Sequence, residues 1–285
     1  MTDDHARSFH EDLERHLEMA LRIADEADAI ALSHFRRDVA VRQKPDRTYV
    51  TAADTAIERL VRERISAVHP DHGFIGEEYG AEAGGGSARW YIDPIDGTHN
   101  FIRGVPLFGL LLALEIDGEL QLSVMSAPAL RERWYAWRGG GAWAVGAAGN
   151  EAPRRIHVSK VERVEDAQVV YGSWQDLDAS GLAPGFPGLL RDAWRERGFG
   201  DFWGYALVAE GAADVMVEAD VSVWDLAAPS VIIEEAGGRI TDFEGRRRID
   251  SRTMLATNGI LHDEVLSRLL AHPTGEESRS SPAED

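Results

Sequence analysis

The 285-residue chain contains no cysteine. Disulfides, thiolate nucleophiles and thiolate zinc sites are thereby excluded, and oxygen and imidazole are left as the available metal donors. Basic residues are scarce: 30 Lys and Arg stand against 49 Asp and Glu, a formal net charge of -19. Such a charge repels polyanions, so nucleic acid is not an expected partner, whereas a small phosphate compound is admissible if bound cations supply the local positive charge. Long apolar runs are missing as well. No stretch reaches the roughly 20 uninterrupted apolar residues that cross a bilayer, and the charged start MTDDHARSFHEDLERHLEMA lacks the apolar run of a secretory signal. The default location is the cytoplasm, with no membrane partner. The polar final stretch, rich in Ser, Pro and Glu, is expected to be a disordered tail over 273–285.

What is present reads as one large domain or two lobes sharing an interface. Leu13, Leu17, Leu21, Ala24, Ala31 and Phe35 recur at helical spacings, which predicts one long helix, or two in series, over 9–36. KPDRTYVTAAD reads as a turn, a short extended piece and a helix start. Ile57, Leu60, Val61, Ile65 and Val68 form the apolar face of that helix, and His69-Pro70-Asp71 closes it. GFIGEEYG is a short strand ending in Glu77 and Glu78, AEAGGGSA a flexible surface loop, and WYID a strand ending at Asp93. Two runs around Asp117-Gly118 predict a hairpin that continues as a meander through RWYAWRGGGAWAVG. Residues 1–155 are thus expected to form an α+β lobe carrying most of the candidate metal ligands. From 156 to 272 strands and helices alternate, including a helix near 186–197, which favours a smaller α/β lobe.

The chemistry concentrates in WYIDPIDGTHN, residues 90–100. Pro94 keeps the chain extended after Asp93, so that Asp93 and Asp96 can face one crevice. Gly97 permits a close backbone approach, and Thr98 can cap a helix whose first N–H groups form an anion site. An Asp-rich turn explains the same residues about as well. An aspartyl-phosphate nucleophile pair is a third reading, opposed by the spacing of three and the intervening proline. Asp54 follows Thr51 by three, a capping-box spacing, and Asp225 is placed to cap the helix it opens, with Pro229 in its first turn and Gly237 as its stop.

Taken in order, GEE, DPIDGT with NF close behind, and WD before a helix ending EAGG make the chain resemble the lithium-sensitive, magnesium-dependent inositol monophosphatase family over residues 9 to about 270. The segments NFIRGVP, SAPALRERWYAWRGGGAW, GDFWGYALVAEGAADV, VSVWDLAA and ATNGILHDEVL look closest to its bacterial histidinol-phosphatase branch. The resemblance implies a layered αβαβα sandwich of the inositol monophosphatase and fructose-1,6-bisphosphatase type, two to three Mg²⁺ per active site, and a homodimer. It implies that Glu77, Asp93 and the Ile95 carbonyl hold one Mg²⁺, that Asp93, Asp96 and Asp225 hold a second, and that Glu77 helps hold a third. It further implies in-line hydrolysis of a phosphate monoester without a phosphoenzyme. The attacking water is oriented by Thr98 and Glu77 with Asp54 assisting, and the Gly97 and Thr98 N–H groups hold phosphate oxygens.

By the same resemblance, Gly200, Asp201 and Glu218 contact the rest of the substrate. An acidic pair there suits the ammonium or imidazolium of L-histidinol phosphate better than a neutral polyol. Inositol 1-phosphate, fructose 1,6-bisphosphate and 3'-phosphoadenosine 5'-phosphate are the alternative substrates. A catalytically silent relative that only binds such a metabolite is the non-enzyme alternative, opposed by the presence of every metal carboxylate. His99 stands where relatives carry other residues and reads as a rim or helix-surface group. The cluster Trp194, Phe199, Phe202, Trp203 and Tyr205 reads as core or dimer contact more readily than as a stacking platform.

Overall fold

Five consecutive apolar residues, Leu110 to Leu114, are what a strand covered on both faces requires. Leu110, Leu112 and Leu114 are buried on one face, and Leu111 and Ala113 on the other. In the computed structural model, which describes residues 3–37, 41–43, 49–146 and 152–272, this strand runs through the middle of an eight-stranded sheet. The first half of the chain is α1 (Asp3–His34), β1 (Val41–Gln43), β2 (Tyr49–Thr51), α2 (Ala52–Val68), β3 (Gly73–Gly76), β4 (Gly80–Glu82), β5 (Ala88–Asp96), α3 (Thr98–Arg103), β6 (Gly109–Ile116), β7 (Glu119–Ala127), β8 (Glu132–Trp137), β9 (Gly141–Gly146) and β10 (Arg154–Ile156). The second is β11 (Gln168–Tyr171), α4 (Trp174–Ser180), α5 (Phe186–Asp192), β12 (Arg195–Arg197), α6 (Asp201–Ala209), β13 (Val215–Ala219), α7 (Val223–Glu235), β14 (Arg239–Thr241), β15 (Thr253–Thr257) and α8 (His262–Leu270). The expected tail, 273–285, lies outside the described residues.

The large sheet has the order β10-β9-β8-β7-β6-β5-β3-β4 and is antiparallel except where β3 runs beside β5. The second sheet, β12-β11-β13-β15-β14, is mixed. Three apolar clusters fill the spaces between layers. Leu13, Leu17 and Ile23 of α1 and Ile57, Val61 and Ile65 of α2 cover one face of the large sheet. Phe202 and Tyr205 of α6 and Leu226, Val231 and Ile232 of α7 lie between the two sheets. Leu177, Phe186, Leu189, Val265 and Leu269, from α4, α5 and α8, cover the outer face of the second. The layers are therefore helix, sheet, helix, sheet, helix, as the resemblance implied. Alternate residues of β6 serve the two adjoining helical layers because successive strand side chains point to opposite faces.

Two local expectations change. The helix near 186–197 stops at Asp192, and Arg195–Arg197 becomes an edge strand beside β11: the backbone groups gain a sheet partner there, which outweighs helix propensity. The loop after Tyr79 begins with β4, paired to β3, before the exposed glycines. A further contact joins α1 to the end of α2. The rings of His16, His69 and His72 stack, with His69 centroids 4.6 Å from His16 and 4.4 Å from His72 and interplanar angles of 22° and 9°. Such parallel planes aim in-plane lone pairs past one another rather than at one ion, and His72 Nδ1 already accepts the Trp90 indole N–H at 3.0 Å. The stack is a packing contact. Burial pushes His69 down and His72 down to about 4, so both are neutral near pH 7.

Candidate metal centre

β5 carries Trp90, Tyr91 and Ile92 into the core and takes Asp93 with them, leaving that carboxylate 3% exposed. The strand does not stop at Asp93 as expected. It continues to Asp96 with its pairing to β6 interrupted between the two aspartates. Pro94 has no N–H for the ladder, and Asp93 Oδ1 accepts the Ile95 N–H at 3.0 Å. Gly97 follows in the left-handed region at φ 77°, where a Cβ would lie 2.8 Å from the Leu107 carbonyl oxygen, so glycine is required on both counts. Gly97, not Thr98, occupies the N-cap position of α3. Thr98 is the first helical residue, and its hydroxyl donates to the Ile95 carbonyl at 2.9 Å.

Asp225 arrives from α7, but not as its cap. Ser222 is the N-cap and Asp225 the third helical residue, its carboxylate accepting the Ser222 N–H at 2.7 Å. The cap locks the side chain at the head of the helix. Pro229 lies beyond the first turn, while Gly237, at φ 91°, follows the helix end as expected. Carboxylate oxygens of Asp93, Asp96 and Asp225 lie within 4.8 Å of one another. A second trio at the same spacing joins Asp54, Glu77 and Glu78. Asp54 is the third residue of α2 and accepts the Thr51 N–H at 2.8 Å, the capping box expected from its spacing.

Glu77, Asp93, Ile95, Asp96, Gly97, Thr98, Gly200, Asp201, Glu218 and Asp225 line one cavity of about 550 Å³. Asp54 is not in its lining; it lies behind the Glu77–Glu78 segment, fully buried, with Oδ1 lacking a protein partner. Eight Asp and Glu side chains line the cavity and no Lys or Arg does, among the described residues. Burial and then the charges of Glu77, Asp96 and Asp225 push the Asp93 carboxyl well above its ordinary range. Burial, Asp201 and Asp225 do the same to Asp96, and burial leads the rise of Asp225 to about 7 and of Asp54 to about 6. Without a cation the group holds protons. Hard oxygen donors in mutual repulsion suit a divalent cation such as Mg²⁺, whose charge relieves that repulsion.

The head of α6 closes the other wall. Asp201 sits at φ 57°, its Oδ2 accepting the Asn100 amide at 3.0 Å, and the Phe202 N–H donates to Asp96. Glu218, 8% exposed, accepts the Tyr205 hydroxyl at 2.7 Å and the Asp201 N–H at 3.4 Å. Burial and the nearby Asp201 push Glu218 up to about 8. Of the aromatic cluster, Phe202 and Tyr205 are core, Phe199 lines the cavity and packs at a tilt against Trp203, and Trp194 is 66% exposed. His99 stands at the rim, edge-on to Tyr49. Sequence reasoning missed Asn100, the Phe202 N–H and the rim acids Asp176 and Asp220 as parts of the site, and the bond of Tyr205 to Glu218, none of which has a local signal.

The profile of the inositol monophosphatase family matches residues 12–276. The chain belongs to the inositol monophosphatase family. Among its curated relatives, the histidinol-phosphatase of Mycobacterium tuberculosis is 44% identical over 90% of this chain and 98% of its own length. That of Streptomyces coelicolor is 43% identical over 89% and 96%. Among solved structures, the inositol monophosphatase of Thermotoga maritima superposes with a TM-score of 0.80 at 32% identity, covering 90% of this chain and 96% of its own. The two-sheet, three-helical-layer arrangement is that of the family.

Proposed function

We propose that this member of the family is a Mg²⁺-dependent phosphate monoesterase that converts L-histidinol phosphate and water to L-histidinol and phosphate, a reaction of histidine biosynthesis. The observation that carries the substrate class is the lining itself. Among the described residues, the cavity that a phosphate ester enters is lined by eight acids and no Lys or Arg. In this reading bound cations hold the phosphate, and the acids left over favour a cationic alcohol. The histidinol-phosphatase names of the M. tuberculosis and S. coelicolor relatives support the same choice.

In this reading Glu77, Asp93, the Ile95 carbonyl, Asp96 and Asp225 hold two to three Mg²⁺. When bound, the metal neutralises phosphate charge and acts as a Lewis acid on the ester. The Thr98 hydroxyl donates a hydrogen bond to the Ile95 carbonyl, which leaves its oxygen free to accept from the attacking water, with Glu77 as the second acceptor. Asp54, behind Glu77, assists as a buried base whose carboxyl lies near neutrality, at about 6. The Gly97 and Thr98 N–H groups receive phosphate oxygens. The water oxygen bonds to phosphorus as the bond to the alcohol oxygen breaks; the proton the water loses passes to Glu77, and the departing alkoxide takes one from solvent. Gly200, Asp201 and Glu218 face the departing alcohol, the two carboxylates pairing with its ammonium or imidazolium. We place the enzyme in the cytoplasm as a homodimer; no helix among the described residues is long and apolar enough to cross a membrane.

The test is phosphate release from L-histidinol phosphate with Mg²⁺, with EDTA, and with Mg²⁺ restored. Release that depends on Mg²⁺ supports the reading; tight binding of the ester without turnover overturns it in favour of a silent binding relative.

A further inference from the structure

Glu58, in the second turn of α2, is fully buried and outside the cavity lining. Four N–H groups converge on its carboxylate. Oε2 accepts the Glu78 N–H at 2.7 Å, and Oε1 accepts the Tyr79 N–H at 3.2 Å and the Arg62 Nε and Nη2 protons at 3.0 and 2.8 Å. Arg62 also donates to the Gly80 carbonyl at 2.6 Å and to Glu82 at 3.0 Å, and lies over the Phe74 ring at 5.1 Å. The carboxylate is pressed against the end of β3, where a Cβ on Gly76 would lie 2.0 Å from Glu58 Oε1. Buried, paired and hemmed in, Glu58 cannot turn away.

Two backbone N–H groups that Glu58 binds belong to the turn carrying Glu77 and Glu78. On the other side of that turn the Glu77 N–H donates to the Ile92 carbonyl at 3.2 Å. Carboxylate oxygens of Asp54, Glu77 and Glu78 lie within 4.8 Å of one another, so like charges crowd the turn. We propose that Glu58 is a positioning residue: by binding the Glu78 and Tyr79 N–H groups it holds the Glu77 carboxylate at the metal centre before an ion arrives. A carboxylate serves here because it accepts from all four donors at once, and Arg62 offsets its charge. The inference rests on the metal-centre reading above, with Glu58 acting through the backbone on a ligand.

The test is calorimetric titration of the metal-free full chain with Mg²⁺, for wild type, Glu58→Gln, Glu58→Asp and a control, Ile65→Val, buried on the same helix. An amide has one acceptor oxygen in place of two and faces the turn with its own donors. Glu58→Gln is expected to weaken Mg²⁺ binding about tenfold, in the range that supporting residues of metal sites show, while kcat at saturating Mg²⁺ stays within about threefold. Ile65→Val lowers the metal-free Tm without moving Mg²⁺ affinity, which separates positioning from general destabilisation. Should Glu58→Gln fail to fold, Glu58→Asp carries the test, because it keeps the charge but draws the carboxylate away from the turn. Wild-type Mg²⁺ affinity in the folded Glu58 variant, or equal weakening in Ile65→Val, overturns the proposal. No Mg²⁺ binding by wild type removes the metal centre itself and the proposal with it.

Discussion

Asp93→Asn should make the metal-free protein more stable and the enzyme inactive. The amide keeps an oxygen for the Ile95 N–H, so the backbone irregularity survives and only the charge is lost. Asp93 has oxygens within 4.8 Å of both Asp96 and Asp225. At an effective dielectric constant of about 20, each such pair of charges repels by about 3 kcal/mol. That figure is an upper bound, since the acids escape part of the repulsion by holding protons. A net relief of about 1–2 kcal/mol corresponds to a rise of roughly 2–3 °C in Tm for a chain of this size. Turnover moves the other way. In the proposed centre Asp93 is shared between cations, and losing it removes several kcal/mol of charge stabilisation; at about 1.4 kcal/mol per tenfold, kcat/KM should fall by roughly a thousandfold or more. The assay is a thermal melt at pH 8 with and without Mg²⁺, beside phosphate release. A variant that melts lower than wild type when metal-free, still gains Tm from Mg²⁺ and keeps near-normal turnover would refute the reasoning.

The pH dependence of the metal-free protein has a definite sign. Folding raises Asp54 to about 6, Asp225 to about 7 and Glu218 to about 8, so between the ordinary carboxylate range and these values the folded chain holds protons that the unfolded chain has released. The stability these three groups contribute is greatest below the ordinary carboxylate range and is lost as pH rises from there through about 6 to 8; melts that stay flat over that range would contradict the shifts. Mg²⁺ should remove most of the slope, except for the part due to Glu218. Glu218→Gln keeps an acceptor for the Tyr205 hydroxyl but loses the carboxylate charge that a cationic alcohol beside it would stabilise against a pKa otherwise raised to about 8. Its kcat/KM for L-histidinol phosphate should fall about 10- to 100-fold, the range of a hydrogen bond to a charged group, with a smaller change for inositol 1-phosphate; equal losses on both would remove its role in discrimination. Gly76→Ala drives a methyl into the Glu58 carboxylate and should cost about 2–3 kcal/mol by denaturant titration, whereas a near-neutral change would show that the contact can relax.

Much of the centre was legible because its residues sit in short patterns with strong local geometry. Glu77 follows the end of a strand, Asp93 and Asp96 flank Pro94, and the structure brings all three to one cavity with Asp225. The misplacement of Asp225 has a simple cause. Ser222-Val-Trp-Asp225 has the same spacing as Thr51-Ala-Ala-Asp54, and both form capping boxes, but Asp is itself a good N-cap, so the pattern can be read one turn too late. Thr98 was misread in the same way, since Gly97 takes the cap position through a left-handed backbone that sequence does not display. Partners distant in sequence left no signal at all. Asn100 meets Asp201 across 101 positions and Asp96 meets the Phe202 N–H across 106, while Glu58 gains its meaning only when β3 ends against it. The strand at Arg195–Arg197 was hidden because a charged run gives no alternation, and only β11 beside it makes it a strand.

The central claim is that a cation-dependent acidic cavity selects a cationic phosphate ester. It is tested most directly by kcat/KM for L-histidinol phosphate and inositol 1-phosphate, measured side by side with Mg²⁺ and with EDTA. The account predicts activity that EDTA abolishes and a preference for L-histidinol phosphate of at least about tenfold, or 1.4 kcal/mol in the transition state. A preference for inositol 1-phosphate would contradict the substrate, and turnover that survives EDTA would contradict the centre.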